Sequence, residues 1–226
     1  MRKEVVMSTI MVLLFCVSVL FGCVSEEVKA TIKGYEVTDF DGRPAIKVNV
    51  ETNEYPITIY LLGPDRRTID MKVIESEKDI PAILYLGISG INVKPGTYYL
   101  KLEYGTKTLE EKSITIQGPK IQFINAKFDF EKTFMGYELK KIEMSLKNTG
   151  DCPAYLYWVK VKIGDKDSTD VIEEYKVPLK PGETKVYTAK DLVLYIEKPG
   201  TYTATIEISG FGGTVLGKFT KTVEVR

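Results

Sequence analysis

The sequence predicts an all-β chain, two β-sandwiches in tandem behind an apolar N-terminal segment. From Ala30 onward no long stretch repeats apolar residues at helical spacing. Short runs alternate apolar with polar residues and are cut by Gly, Pro, Asn and Asp, the signature of strands and turns. The same design then recurs in the second half of the chain, so two sandwiches are expected rather than one large sheet.

In the first half, alternation places strands near 29–38, 44–52, 56–62, 68–75, 82–86, 97–104 and 107–116. Gly63-Pro64-Asp65 and Tyr104-Gly105-Thr106 supply turns between them. Gln117-Gly118-Pro119-Lys120 interrupts the pattern and reads as a domain junction. Beyond it, strands are expected near 121–130, 137–147, 154–164, 171–177, 184–190, 200–208 and 214–225. The predicted domains are 29–117 and 118–226.

Lys94-Pro95-Gly96-Thr97-Tyr98 recurs as Lys198-Pro199-Gly200-Thr201-Tyr202, at an offset of 104. The closing strands, Lys112-Ser113-Ile114-Thr115-Ile116 and Lys221-Thr222-Val223-Glu224-Val225, are offset by 109. The second copy therefore carries five extra residues, placed at Ser209-Gly210-Phe211-Gly212-Gly213. About seven strands per 100 residues is the count of an immunoglobulin-like sandwich. Pro-Gly turning the chain into a late strand, with Tyr two positions on, gives the logic of a tyrosine corner for Tyr98 and Tyr202.

At the other end, Arg2 and Lys3 precede a run from Val5 to Val24 without a charged residue. A basic start followed by an apolar stretch is the pattern of a secretory signal. Leu20-Phe21-Gly22-Cys23 resembles the lipobox of prokaryotic lipoproteins, with Leu three residues before Cys and a small residue directly before it. The resemblance implies cleavage after Gly22, leaving 1–22 as signal peptide, 23–28 as a short tether and Cys23 as the lipidated residue. Phe21 is bulkier than the family's usual residue there. An uncleaved helix is the rival reading, since twenty residues span roughly 30 Å, and plain secretion is a third. All three expect the globular part to lie outside the cell membrane.

A second resemblance rests on Asn148-Thr149-Gly150-Asp151-Cys152-Pro153-Ala154, about 50 residues before Pro199-Gly200-Thr201-Tyr202. This arrangement is similar to CARDB-type and related Ig-like modules, which recur in tandem on archaeal and bacterial surface proteins. It covers roughly 120–226, and loosely 29–117, where Glu51-Thr52-Asn53-Glu54-Tyr55-Pro56 stands at the equivalent turn. The resemblance implies adhesion, spacing or partner binding, and brings no catalytic residue with it.

Composition narrows the chemistry. Basic and acidic residues number 31 each and form no stripe, so the electrostatic footprint of a nucleic-acid binder is missing. Histidine is absent, which removes the commonest general base and a major metal ligand. Carboxylates remain as acid and base, in pairs such as Glu110-Glu111 and Glu173-Glu174. Asp165, Asp167 and Asp170 form a weak calcium candidate without the Gly and Glu of a helical calcium loop; a solvated hairpin turn is the simpler reading. Cys152 has no His to activate it and is expected to pack on a turn.

Three aromatics are candidates for partner contact. Tyr155 and Tyr157 alternate with Leu156 and Trp158, so the tyrosines are expected outside and Trp158 in the core. Phe211 sits among glycines in a loop that the first half lacks, and loops on a rigid scaffold are where binding residues gather. The function expected is a non-enzymatic surface lipoprotein that binds or spaces an envelope protein or surface polymer, without cofactor or catalytic residues. A solute-binding lipoprotein serving a transporter and a carboxylate-based hydrolase are the alternatives.

Overall fold

The computed structural model describes residues 27–226. The signal or anchor segment and Cys23 lie outside the described residues. Among the described residues no helix is long and apolar enough to cross a membrane.

The first sandwich is built from β1 (Ala30–Phe40), β2 (Arg43–Thr52), β3 (Ile57–Leu62), β4 (Thr68–Ile74), β5 (Ala82–Tyr85), β6 (Gly96–Tyr104) and β7 (Lys107–Ile116). One sheet has the order β1-β2-β5 and the other β4-β3-β6-β7. Alternation carries the core: Ile46, Val48 and Val50 of β2 face Ile57, Ile59 and Leu61 of β3 and Leu100 and Leu102 of β6.

The second sandwich repeats the plan with β8 (Ile121–Thr133), β9 (Gly136–Asn148), β10 (Trp158–Ile163), β11 (Lys166–Val171), β12 (Thr184–Ala189), β13 (Tyr195–Ile196), β14 (Gly200–Ser209) and β15 (Val215–Val225). β9 pairs β8 on one side and β12 and β13 in succession on the other; the facing sheet runs β11-β10-β14-β15. Its core gathers Leu139, Ile142, Met144 and Leu146 against Val159, Val161, Ala204, Ile206 and Ile208. The chain is all-β, with two immunoglobulin-like sandwiches in tandem.

Three local expectations are corrected. The hairpin after β10 turns at Gly164-Asp165, where Gly164 has φ +63°, and Lys166–Val171 pairs back as a strand. Residues 172–177 then form turns instead of a strand. The third correction concerns 154–157, expected as the start of a half-exposed strand. Residues 152–156 are five consecutive buried positions, a pattern that solvent-facing alternation cannot produce. They are buried on both sides because the segment runs between the sandwiches. Ala154 and Leu156 enter the second core while Cys152 enters the first.

Candidate binding site at the junction of the sandwiches

The 152–156 segment is held by a loop that its own sequence shapes. Asn148, fully buried at the end of β9, donates through Nδ2 to Cys152 O (2.7 Å) and Leu179 O (2.9 Å). Its Oδ1 accepts from Gly150 N at 2.9 Å and Lys120 N at 3.3 Å, tying the loop to the interdomain connector. Gly150 is required there: a Cβ would lie 2.1 Å from Gly118 O and 2.7 Å from Lys120 N. Asp151 Oδ2 accepts from Gln117 N at 2.8 Å, a second clamp on the connector.

Tyr155 continues the attachment into the first sandwich. Asn92 reads its backbone from both sides, accepting from Tyr155 N (2.8 Å) and donating to Tyr155 O (2.9 Å). The Tyr155 hydroxyl lies 3.0 Å from Asp39 Oδ2 and 3.1 Å from Gly42 O. Burial, then the Asp39 carboxylate, holds this phenol well above its ordinary range. Gly210 approaches the same place, where a Cβ would meet Asn92 Nδ2 at 2.2 Å. Tyr155 is 2% exposed, so the expectation that it forms an outer platform is corrected: its side chain is spent on joining the sandwiches.

The phase of β10 explains the neighbouring correction. Val159, Val161 and Ile163 point inward, so Trp158, Lys160 and Lys162 point out, and Trp158 is 37% exposed instead of filling the core. Tyr157 is positioned by two backbone bonds: its N–H donates to Ser209 O and its carbonyl accepts from Ile172 N, both at 2.9 Å. These bonds place its ring beside three others. Ring centroids lie 4.8 Å away for Trp158, 4.8 Å for Tyr175 and 5.3 Å for Phe211, all edge-to-face, the geometry aromatic quadrupoles prefer.

Tyr157, Tyr175 and Phe211 of this cluster wall a groove of about 530 Å³ at the junction, floored by Tyr155 and Leu156 and closed on the first sandwich's side by Ile88–Ile91. Phe211 (55% exposed) and Ile88 (63%) stand at its rims, and Lys176 also lines it, with Nζ 5.7 Å from the Tyr175 ring. The structure thus brings together Tyr157 and Phe211 from the sequence candidates and adds Ile88, Ile91, Tyr175 and Lys176. The five-residue insertion signalled Phe211. Nothing local signalled the others, which come from two further loops, one in each sandwich.

The remaining candidates lie elsewhere. Tyr98 Oη donates to Lys94 O and Tyr202 Oη to Lys198 O, each at 2.8 Å, in the two equivalent corners. Cys152 is fully buried; desolvation first and Asp151 second push its thiol far above the range where a nucleophile forms. The calcium candidate is taken apart by strand geometry. Asp167 pairs with Lys160, while Asp170 Oδ2 accepts from Lys190 N (3.1 Å) and Asp191 N (3.0 Å). Residues 167 and 170 are an odd number apart on β11 and face opposite sides, so with Asp165 on the turn they do not converge. Among the described residues no group of three metal-ligating side chains converges. Of the acidic pairs, Glu111 bonds Arg66 at 2.8 Å, Glu173 bonds Lys190 at 2.8 Å, Glu174 bonds Lys185, and Glu110 accepts from Ile32 N.

No family model matches the chain. No curated protein matches it either. Solved structures with a similar arrangement include a two-domain fibronectin type-III segment of chicken tenascin, 14% identical over 86% of this chain and 99% of that one, with a TM-score of 0.33. The chicken interferon gamma receptor alpha chain is 12% identical over 86% of this chain and 97% of that one, with a TM-score of 0.29. The BSP domain of a biofilm-associated protein is 13% identical over 88% of this chain and 29% of that one, with a TM-score of 0.28.

Proposed function

We propose that the chain is a non-catalytic binding module of the cell envelope, tethered through a lipid on Cys23 and offering its junction groove to a protein partner. The observation that carries this reading is the exposed aromatic groove built from both sandwiches on a hydrogen-bonded junction. Exposed aromatics on a rigid frame are the usual anchors of protein interfaces, because they bring large contact area with little rotamer freedom to lose. The lipobox-like Leu20-Phe21-Gly22-Cys23 and the CARDB-like Asn148–Ala154 segment support a surface-exposed setting.

The start of β1 and the groove stand at opposite ends of the first sandwich. β1 starts at Ala30 and delivers Asp39 to the junction, a rise of about 30 Å at 3.3 Å per residue. A partner beside the membrane would meet the groove above the headgroups.

Photocrosslinking in native membranes tests the reading. A photoreactive residue at Phe211 is expected to give one discrete protein adduct. The same residue at Phe134, 98% exposed at the far tip of the β8–β9 hairpin, is expected to give none. Cys23→Ser is expected to move the chain from the membrane to the soluble fraction. No adduct at Phe211, or equal adducts at both positions, contradicts the groove as the binding face.

A further inference from the structure

Resting on the binding-module reading, we infer that the junction groove takes an acidic peptide segment, one that places a bulky apolar side chain among Tyr157, Tyr175 and Phe211 and a carboxylate at Lys176. Three features of the groove select this class. Its volume of about 530 Å³ lies within the roughly 300–1,000 Å³ of sites that take small ligands or side chains. Its walls are mainly apolar, Ile88 and Ile91 on one side and Tyr157, Tyr175 and Phe211 on the other, which favours a side chain able to give up water without leaving a polar group unpaired. Among the described residues that line it, Lys176 is the one that carries charge, and it enters no ion pair with another described residue.

A sugar fits these walls less well. Each ring hydroxyl taken from water needs a partner, and the lining side chains offer the hydroxyls of Ser89 and the tyrosines but no carboxylate or amide; Asn92 has both ends of its amide used by Tyr155. A carboxylate, by contrast, gains a charge-assisted bond from a lysine whose Nζ already lies 5.7 Å from the Tyr175 ring.

The test is selection of a phage-displayed random dodecapeptide library on the full chain, with F211S and K176E as parallel baits. The chain's single tryptophan, Trp158, lies 4.8 Å from Tyr157 and reports occupancy by its fluorescence when synthetic tryptophan-free peptides are titrated. The expected winners pair a bulky apolar residue with Asp or Glu within about three positions, the reach from the cluster to Lys176. They lose binding to F211S, and K176E weakens them about threefold to fivefold, as a partly exposed ion pair does, while favouring peptides with Lys or Arg at the same place. Winners sensitive to F211S without any acidic preference would overturn the inference and leave the binding-module reading intact. So would a failure to enrich peptides combined with F211S-sensitive binding of a labelled surface polysaccharide. Peptides indifferent to F211S would overturn it as well, and the Phe211 adduct in membranes then decides the broader reading by itself.

Discussion

Two residues show how one motif acquires different weights. Tyr98 and Tyr202 make the same hydroxyl-to-carbonyl bond in equivalent corners, but Tyr98 is buried and its bond shielded, whereas the Tyr202 bond is exposed. Tyr98→Phe is therefore expected to cost about 1 kcal/mol or more, and Tyr202→Phe less than half of that, read from chemical denaturation. Four buried acids also set the alkaline limit. Desolvation raises the pKa of Tyr98, Tyr155, Tyr187 and Cys152 in the folded chain above the ordinary values of 10.0 for tyrosine and 9.0 for cysteine. Between the unfolded and folded values the folded state holds more protons, so stability is full below about pH 9 and falls as pH rises further. A plot of unfolding free energy against pH is expected to decline above that point, and Tyr155→Phe to flatten the decline.

Strands were legible wherever one face meets water. β6, β9, β14 and, from Ile46 onward, β2 alternate in sequence and in burial alike, because period-two burial is what a half-exposed strand imposes. The 152–156 segment broke that rule through its surroundings, since a chain covered on both sides carries no alternation to read. Trp158 was misplaced for the same reason: the phase of β10 starts at Val159, after the covered stretch ends. β11 was missed because Lys166–Val171 is a polar edge strand, whose charges serve edge protection and pairing with Lys160 rather than a turn. In the candidate site, Phe211 and Tyr157 were visible as sequence features. Ile88, Ile91, Tyr175 and Lys176 acquire meaning only when three loops meet. At this scale, Gly150→Ala is the sharpest probe. Its new methyl would strike Gly118 O and displace the connector, with an expected loss of about 1–3 kcal/mol in denaturant unfolding.

For the whole molecule, the governing feature is that one short segment of the second sandwich completes both cores. The first core includes Cys152 from beyond the connector, and the second is entered by Ala154 and Leu156 of that same short segment. Asn92, Asp39 and Gly42 then fix Tyr155 with hydrogen bonds sheltered from solvent, where each is worth more than at an open surface. Such a junction holds the groove in shape before any partner arrives, lowering the ordering cost of binding. Differential scanning calorimetry tests this coupling most directly. The intact chain is expected to unfold in one cooperative transition, and the pair N92A/D39A to split it into two. Two independent transitions in the unaltered chain, unmoved by that pair, would contradict a groove built on a fixed junction.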